Sequence, residues 1–528
     1  MTGVFWPGSL GNLPHPVAIL QIISMKAFIV AAIRCSLVFV LSALAYADIA
    51  QWNLNPTSGD WNTAANWTPI TVPNGPADIA TFALSNTTNV SITANTEING
   101  ITFTPAATNP YIITASPGFT LTLSGTGIRD NSGTTQNFLA ASGDPSEFGQ
   151  IVFTNSASAG SANIVNEGGG TGFFNSSTAG NALIITDSSS FTEFSDISTA
   201  GNAIVITAGL SPVVEFFDSS TAGNADIGTG DFSSFLEFFD SSTAGSATIH
   251  GGGSIDFLGS STAGSASIQI FDGFIDFSDS SDGGTAQIDL EFDPNFGPAA
   301  LFIHAPGVTI GSIEGVGDAF LGPSNLTVGS NNLSTIFSGI IEDGGFGGSL
   351  TKIGTGTLVL AGANTYTGNT HVNGGALQVD ASISSNTSVN RGGTLAGSGT
   401  INGDVTNGKR GTVSPGGALG LPGVLTVANN YTQMRSATLL MQIGGADASR
   451  VSVLDVQGNA NLNGFLNPVL VNGFVPAIGQ SFTFLSYASV TGSFSHIRNQ
   501  VFDHGRKRWL LAYNPTSAVL TVIKNGAR

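Results

Sequence analysis

The sequence predicts an all-β fold, a parallel β-helix (β-solenoid) with about 20–22 residues per coil in its central repeats. Three observations carry this. A glycine, usually within Ser-Thr-Ala-Gly, recurs at Gly160, Gly180, Gly201, Gly223, Gly245, Gly264 and Gly284. Its intervals are 20, 21, 22, 22, 19 and 20 residues, a period that one solenoid coil shows when helix-forming composition is lacking. Apolar columns keep register with it. Seven residues before each glycine stands Phe153, Phe173, Phe194, Phe216, Phe238, Phe257 or Phe277. Two after it stands Ala162, Ala182, Ala203, Ala225, Ala247, Ala266 or Ala286, and four after it an Ile or Val. The flanking alternation has period two, the mark of strands. Finally, only 9% of residues are charged while 70 are Gly and 35 Phe, a composition of many turns and few helix formers.

Taken in order, residues 1–47 comprise an upstream segment and a secretory signal over 25–47. Lys26 and Arg34 supply the positive start, Cys35 to Ala45 the apolar run, and Ala45-Tyr46-Ala47 the small-x-small site. Cleavage is expected between Ala47 and Asp48, with Met25 as initiator. The single cysteine, Cys35, would leave with the signal, so the mature chain would hold no disulfide and no cysteine metal site. No later stretch is long and apolar enough to be a transmembrane segment.

Residues 48–150 begin with Trp52, Trp61 and Trp67. They are expected to cap the open end of the stack, whose terminal strand carries unpaired backbone groups. The alternative for these tryptophans is a carbohydrate platform. First coils come next, with strands such as Asn89 to Ile92 and Tyr111 to Thr114. Residues 151–290 form the seven-fold repeat, in which coils about 4.8 Å apart would turn each column into a ladder of like side chains. Residues 291–410 continue the β-helix less regularly, and 411–528 complete a C-terminal β region.

The formal charge of −19 is uneven. From Asp48 to Asp380 there are 30 acids against two bases, Arg129 and Lys352, and from Arg391 to Arg528 eleven bases against four acids. An acidic body excludes nucleic acid, whose binding needs a positive surface to displace counterions. Arg506, Lys507 and Arg508 are too short a run to reverse that, and read as a solvated loop between strands.

Alignment also gives an acidic column eight residues before the glycine: Glu193, Glu215, Glu237, Asp256 and Asp276. It lies between inward positions and is expected to face solvent. Stacked carboxylates repel by roughly 1 kcal/mol per neighbouring pair even in water, so a solubilising stripe is the favoured reading. Weak calcium binding is the alternative, since calcium uses hard oxygen ligands, but no EF-hand loop or nonapeptide calcium repeat supports it. No other cofactor is expected. A second column, five before the glycine, reads Asn155, Asn175, Asp196, Asp218, Asp240, Gly259 and Asp279.

A β-helix polysaccharide lyase or glycoside hydrolase acting on acidic glycans is the rival from another class. It needs a base, and cations against the uronate, or convergent carboxylates. His250, His304, His371, Arg129 and Lys352 are scattered, and repetition accounts for the acids. No catalytic residue is assigned and the chain is read as not an enzyme. An ice-binding ladder through Thr178, Thr199, Thr221, Thr243 and Thr262 ranks last, because those threonines fall in a turn.

From Leu350 the chain reads Leu-Thr-Lys-Ile-Gly-Thr-Gly-Thr-Leu-Val-Leu, then Gly362-Ala363-Asn364-Thr365-Tyr366-Thr367-Gly368, and runs on to Leu377. By pattern alone this is three strands forming one coil of a triangular solenoid. The phrase resembles the passenger-associated β-strand repeat of bacterial autotransporters. Pro415-Gly416-Gly417, Leu425-Thr426-Val427 with Tyr431-Thr432, Leu454 to Gly464 and Gly479 to Phe494 are similar to the segments downstream of that repeat in such passengers. The resemblance implies a right-handed parallel β-helix on the cell surface, associated with the outer membrane or released. After Phe494 only 34 residues remain, too few for the family's C-terminal translocator barrel. A separate outer-membrane translocator is therefore an expected partner. The expected function is structural or adhesive, by multivalent contact with surface glycans or neighbouring cells.

Overall fold

In the seven-fold region every coil builds from the same short pieces. A four-residue strand ending in the column Phe, such as Phe191–Phe194, leads through a turn to the Ser-Thr-Ala-Gly phrase. A second strand, such as Ile204–Thr207, comes after it. Each strand pairs in parallel with its counterpart one coil away, so Phe194 lies beside Phe173 and Phe216, and Val205 beside Ile184 and Ile227. The computed structural model describes residues 48–144, 147–230, 233–417 and 420–526. The signal segment 25–47, with Ala47 of the cleavage site, lies outside them; Asp48 is described and exposed.

Three large sheets, of 15, 20 and 16 strands, run along the chain. The parallel β-helix expected from the repeat is the architecture found. Among the described residues the only helical elements are two single 3-10 turns, Ala64–Asn66 and Ala448–Arg450. The third sheet begins at Gly307–Ile310. Before it, in the repeat, the third side of the coil is a column of isolated bridges from Ser158 through Thr178, Thr199, Thr221 and Thr243 to Thr262.

The predicted ladders form the core. Ring centroids of Phe153, Phe173, Phe194, Phe216, Phe238, Phe257 and Phe277 are 4.7–4.9 Å apart, with planes within 5–9° of parallel. All are buried, as are the Ala and Ile/Val columns. Each ring contributes on the order of 2–3 kcal/mol by leaving water, with a further increment from offset stacking. The column glycines have φ between +59° and +65°, where a side chain is strained. The Cβ of an alanine at Gly223 would stand 2.8 Å from the Gly201 carbonyl oxygen.

Pairing changes at both ends of the described stack. Strand Ile49–Trp52 is covered by an antiparallel strand, Trp67–Thr68. Trp52, Trp61 and Trp67 are fully buried around Phe82, with ring centroids 4.8–6.1 Å apart. Their indole N–H groups donate to the carbonyls of Thr87, Pro73 and Trp61. Buried rings offer no sugar platform, so these tryptophans cap. At the far end the parallel order gives way to antiparallel strands Ser481–Gly492, Ser517–Lys524 and Lys507–Tyr513.

One expectation is corrected. Leu350 to Leu377 is not three sides of a single coil. Leu350 pairs with Thr370, Lys352 with Val372, and Leu358 with Leu377. The phrase is longer than one coil, so its last third stacks on its beginning instead of forming a further side.

Candidate functional site

The first acidic column occupies one position of the 15-stranded sheet in five successive coils, with Glu193, Glu215, Glu237, Asp256 and Asp276 in register. It does not face open solvent as expected. Glu193 is 2% and Glu215 9% exposed, and Glu237, Asp256 and Asp276 are half-buried. The reason lies in the neighbouring columns on the same outward face. Phe191, Val213 and Phe235 stand two residues before the acids, and Phe217, Phe239 and Leu258 two after them. Phe217 and Phe239 are themselves stacked, 4.7 Å apart. The carboxylates thus lie between apolar rails. Burial, then the charges of Glu237 and Asp276, push the Asp256 carboxyl up to about 7, against an opposing hydrogen bond from Ser254. Ser195 Oγ donates to Glu193 Oε1 at 2.8 Å, and His304 Nδ1 lies 2.7 Å from Asp276 Oδ1.

The second column belongs to the turns. Asn155, Asn175, Asp196, Asp218, Asp240 and Asp279 all have φ of +54° to +60°, a region Asn and Asp tolerate better than other residues with side chains. Each side chain after the first reaches back one coil. Asp196 Oδ2 accepts from the Asn175 N–H at 2.8 Å, Asp218 Oδ2 from Asp196 N–H at 3.1 Å, and Asp240 Oδ2 from Asp218 N–H at 3.2 Å. Asp279 Oδ2 likewise accepts from Gly259 N–H at 3.0 Å. These acids satisfy backbone donors. The threonine column is occupied in the same way: Oγ1 of Thr178, Thr199, Thr221, Thr243 and Thr262 accepts from the glycine N–H two residues on, at 3.0–3.1 Å.

His250, His304 and His371 are dispersed over three different sheets. His250 Nε2 meets Asp226 Oδ1 at 3.0 Å in the 20-stranded sheet, His304 comes just after a strand of the 15-stranded sheet, and His371 Nδ1 meets Ser388 Oγ at 2.7 Å in the 16-stranded sheet. Among the described residues no three His, Cys, Asp or Glu side chains come together as a metal cage.

Two groups in the 340–370 region escaped sequence reasoning. Asp343 is buried and accepts from the N–H groups of Gly345, Gly347 and Thr367 and from Thr367 Oγ1 at 2.6–2.9 Å. Burial raises its carboxyl, but these bonds together outweigh that and hold it below the usual range. Lys352 points into the interior, 1% exposed, with Nζ donating to the Ile353 carbonyl at 2.5 Å. Burial pulls its amine down to about 8. The alternation Leu350-Thr351-Lys352 sets it on the same face as buried Leu350, a signal that could have found it.

Residues 350–379 match the family model described as the passenger-associated-transport-repeat. The chain carries an autotransporter-passenger repeat. The phrase from Leu350 to Leu377 falls within that passenger repeat. Its strands sit mid-stack, with Thr327 beside Thr351 and Ser388 beside His371. An extracellular serine protease of Serratia marcescens is 46% identical over 78 residues, 15% of this chain and 7% of that protein. The adhesin BmaC autotransporter of Brucella suis biovar 1 (strain 1330) is 40% identical over 116 residues, 20% of this chain and 3% of that protein. The chain thus spans a small part of the curated relatives it matches. The crystal structure of the Haemophilus influenzae Hap adhesin aligns with 84% of this chain and 64% of its own, at 11% identity and a TM-score of 0.24.

Proposed function

We propose that this chain is a secreted or surface-displayed structural and adhesive rod of autotransporter-passenger type, acting through many weak contacts and not as an enzyme. One observation carries the reading: the acids and threonines of the repeat are engaged in turns and ladders, and His250, His304 and His371 are spread over three sheets. A rigid stack of like coils suits multivalent binding, in which avidity grows with the number of simultaneous contacts. The passenger repeat supports export to the cell surface, with an outer-membrane translocator as the partner that such export would need. Among the described residues no helix is long and apolar enough to cross a membrane. The match to a relative named as a serine protease covers 7% of that protein, too little to carry its activity over to this chain.

The test pairs two assays on the purified protein. Binding to a panel of surface glycans and to whole cells is expected to be weak for the monomer and strong when the protein is clustered on beads. Incubation with pectin and alginate is expected to release no reducing or unsaturated ends; turnover would replace this reading with that of a polysaccharide-degrading enzyme.

A further inference from the structure

The basic end of the chain holds a cleft that the repeat does not explain. Strands Lys507–Tyr513 and Ser517–Lys524 form an antiparallel hairpin whose register sets Lys507 directly opposite Lys524. Like charges facing each other across antiparallel strands destabilise the pair. The preceding loop turns back through Asp503, His504 and Gly505, with φ of +53°, +55° and +81°. Asn525 ties it to the chain end, donating its N–H to Arg506 O and Nδ2 to Gly505 O, each at 2.9 Å. Between loop and hairpin lies an open cleft of about 580 Å³, lined by Arg506, Lys507, Lys524, Asp503, Asn525 and Ile478 among others.

Three cations share this cleft with one carboxylate. Arg506 Nη2 and Lys507 Nζ both reach Asp503, at 2.6 and 3.2 Å, so the single acid is divided between them. Lys507 also donates to the Pro476 carbonyl at 2.7 Å, which fixes its amine at the cleft wall. The net surplus is two positive charges held close together, in a region of eleven bases against four acids. A guanidinium and two ammonium groups lining one cleft are complementary to an oxyanion, which would relieve the Lys507–Lys524 opposition on binding.

We propose that this cleft binds a sulfate or phosphate group borne on a surface glycan. The acidic body, with 30 acids and two bases from Asp48 to Asp380, confines such a ligand to the end of the rod and repels a long polyanion laid along it. The anion site stands on its own geometry, and its assignment to a glycan rests on the adhesive reading.

The experiment uses the full chain at low ionic strength, where such contacts are least screened. Inorganic phosphate and inorganic sulfate are titrated while the thermal midpoint is monitored, and then a sulfated and a phosphorylated polysaccharide are compared with the neutral parent polymer. R506Q/K524Q is compared with K409Q/R410Q, which removes the same charge from an exposed turn elsewhere. Expected results are a rise in midpoint with at least one inorganic anion, preference for a charged polymer over the neutral one, and at least tenfold weaker binding in R506Q/K524Q only. K524Q alone is expected to raise the midpoint of the ligand-free protein, as the lysine opposition disappears. Equal weakening in both double variants, or no response to either inorganic anion, would overturn the site. Response to the inorganic anions without binding of either charged polymer would retain the anion site and overturn its glycan assignment.

Discussion

Acidification from pH 8 to pH 5 is expected to stabilise the repeat, and Asp256→Asn is expected to abolish most of that effect. The Asp256 carboxyl stands at about 7 in the fold against an ordinary 3.8. Between those values the folded chain binds more protons than the unfolded chain, so stability falls as pH rises through the window and levels off above 7. One proton of difference changes stability by about 1.4 kcal/mol per pH unit. Because the carboxylates are coupled, a total of roughly 2–4 kcal/mol is the appropriate range. Glu237 and Asp276 lie one coil to either side of Asp256, His304 adjoins Asp276, and residues 151–290 contain no Lys or Arg. The acids held below their ordinary value, Asp60, Asp343 and Asp503, lose their contribution only below about pH 4, outside the window. Thermal unfolding monitored by circular dichroism at pH 5, 6, 7 and 8 is the assay. The wild type should gain on the order of 3 °C towards pH 5. The amide of the variant has no charge to relieve, so its midpoint should lie above wild type at pH 8 and change little with pH. A wild-type midpoint that is flat or falls on acidification, or an unchanged slope in the variant, would show that the Asp256 carboxyl is not raised in the fold.

Three further outcomes are expected from the same structure. Phe216→Ala removes a ring stacked 4.7 and 4.8 Å from its neighbours and should cost about 3–5 kcal/mol, with hydrogen exchange accelerated first in the adjoining strands Phe191–Phe194 and Phe235–Phe238. Gly223→Ala forces a side chain onto φ +63° and against the Gly201 carbonyl, and should lower stability by at least about 1–2 kcal/mol in denaturant titration. Lys352→Met should raise stability at pH 7. The buried amine is protonated below about 8 in the fold and below 10.5 when unfolded, so the wild type recovers as pH rises from 8 to 10.5 and the gain of the variant should vanish across that range in the same titration.

How much of this was legible in the sequence is set by the physics of a stacked coil. Interactions are nearest-neighbour along the axis, so a residue that keeps register with Gly180 or Gly201 has its partner named by the repeat length alone. That is why the Phe ladder and the Ala column could be read directly. Alternation, however, assigns a face and not an exposure. Glu193 and Glu215 point outward as expected, and are buried because Phe191, Val213 and Phe217 stand beside them on that same face. Reading the columns one at a time missed this; reading three outward columns together contains it.

The same limit explains the second acidic column and the basic cleft. Asp196 and Asp218 could be seen to recur, but only their positive φ brings a carboxylate under the N–H of the preceding coil. Recurrence gave the column, and turn conformation gave its role. Arg506, Lys507 and Arg508 read as a solvated loop because a local run carries no register. Lys524 becomes their neighbour only once the turn after Tyr513 sets the hairpin, with Asn514 N–H bonded to Ser517 O at 2.7 Å. Where the stack ends, pairing becomes antiparallel and periodicity stops supplying partners. At that end Arg506, Lys507 and Lys524 line one cleft, a neighbourhood that no repeat register contains.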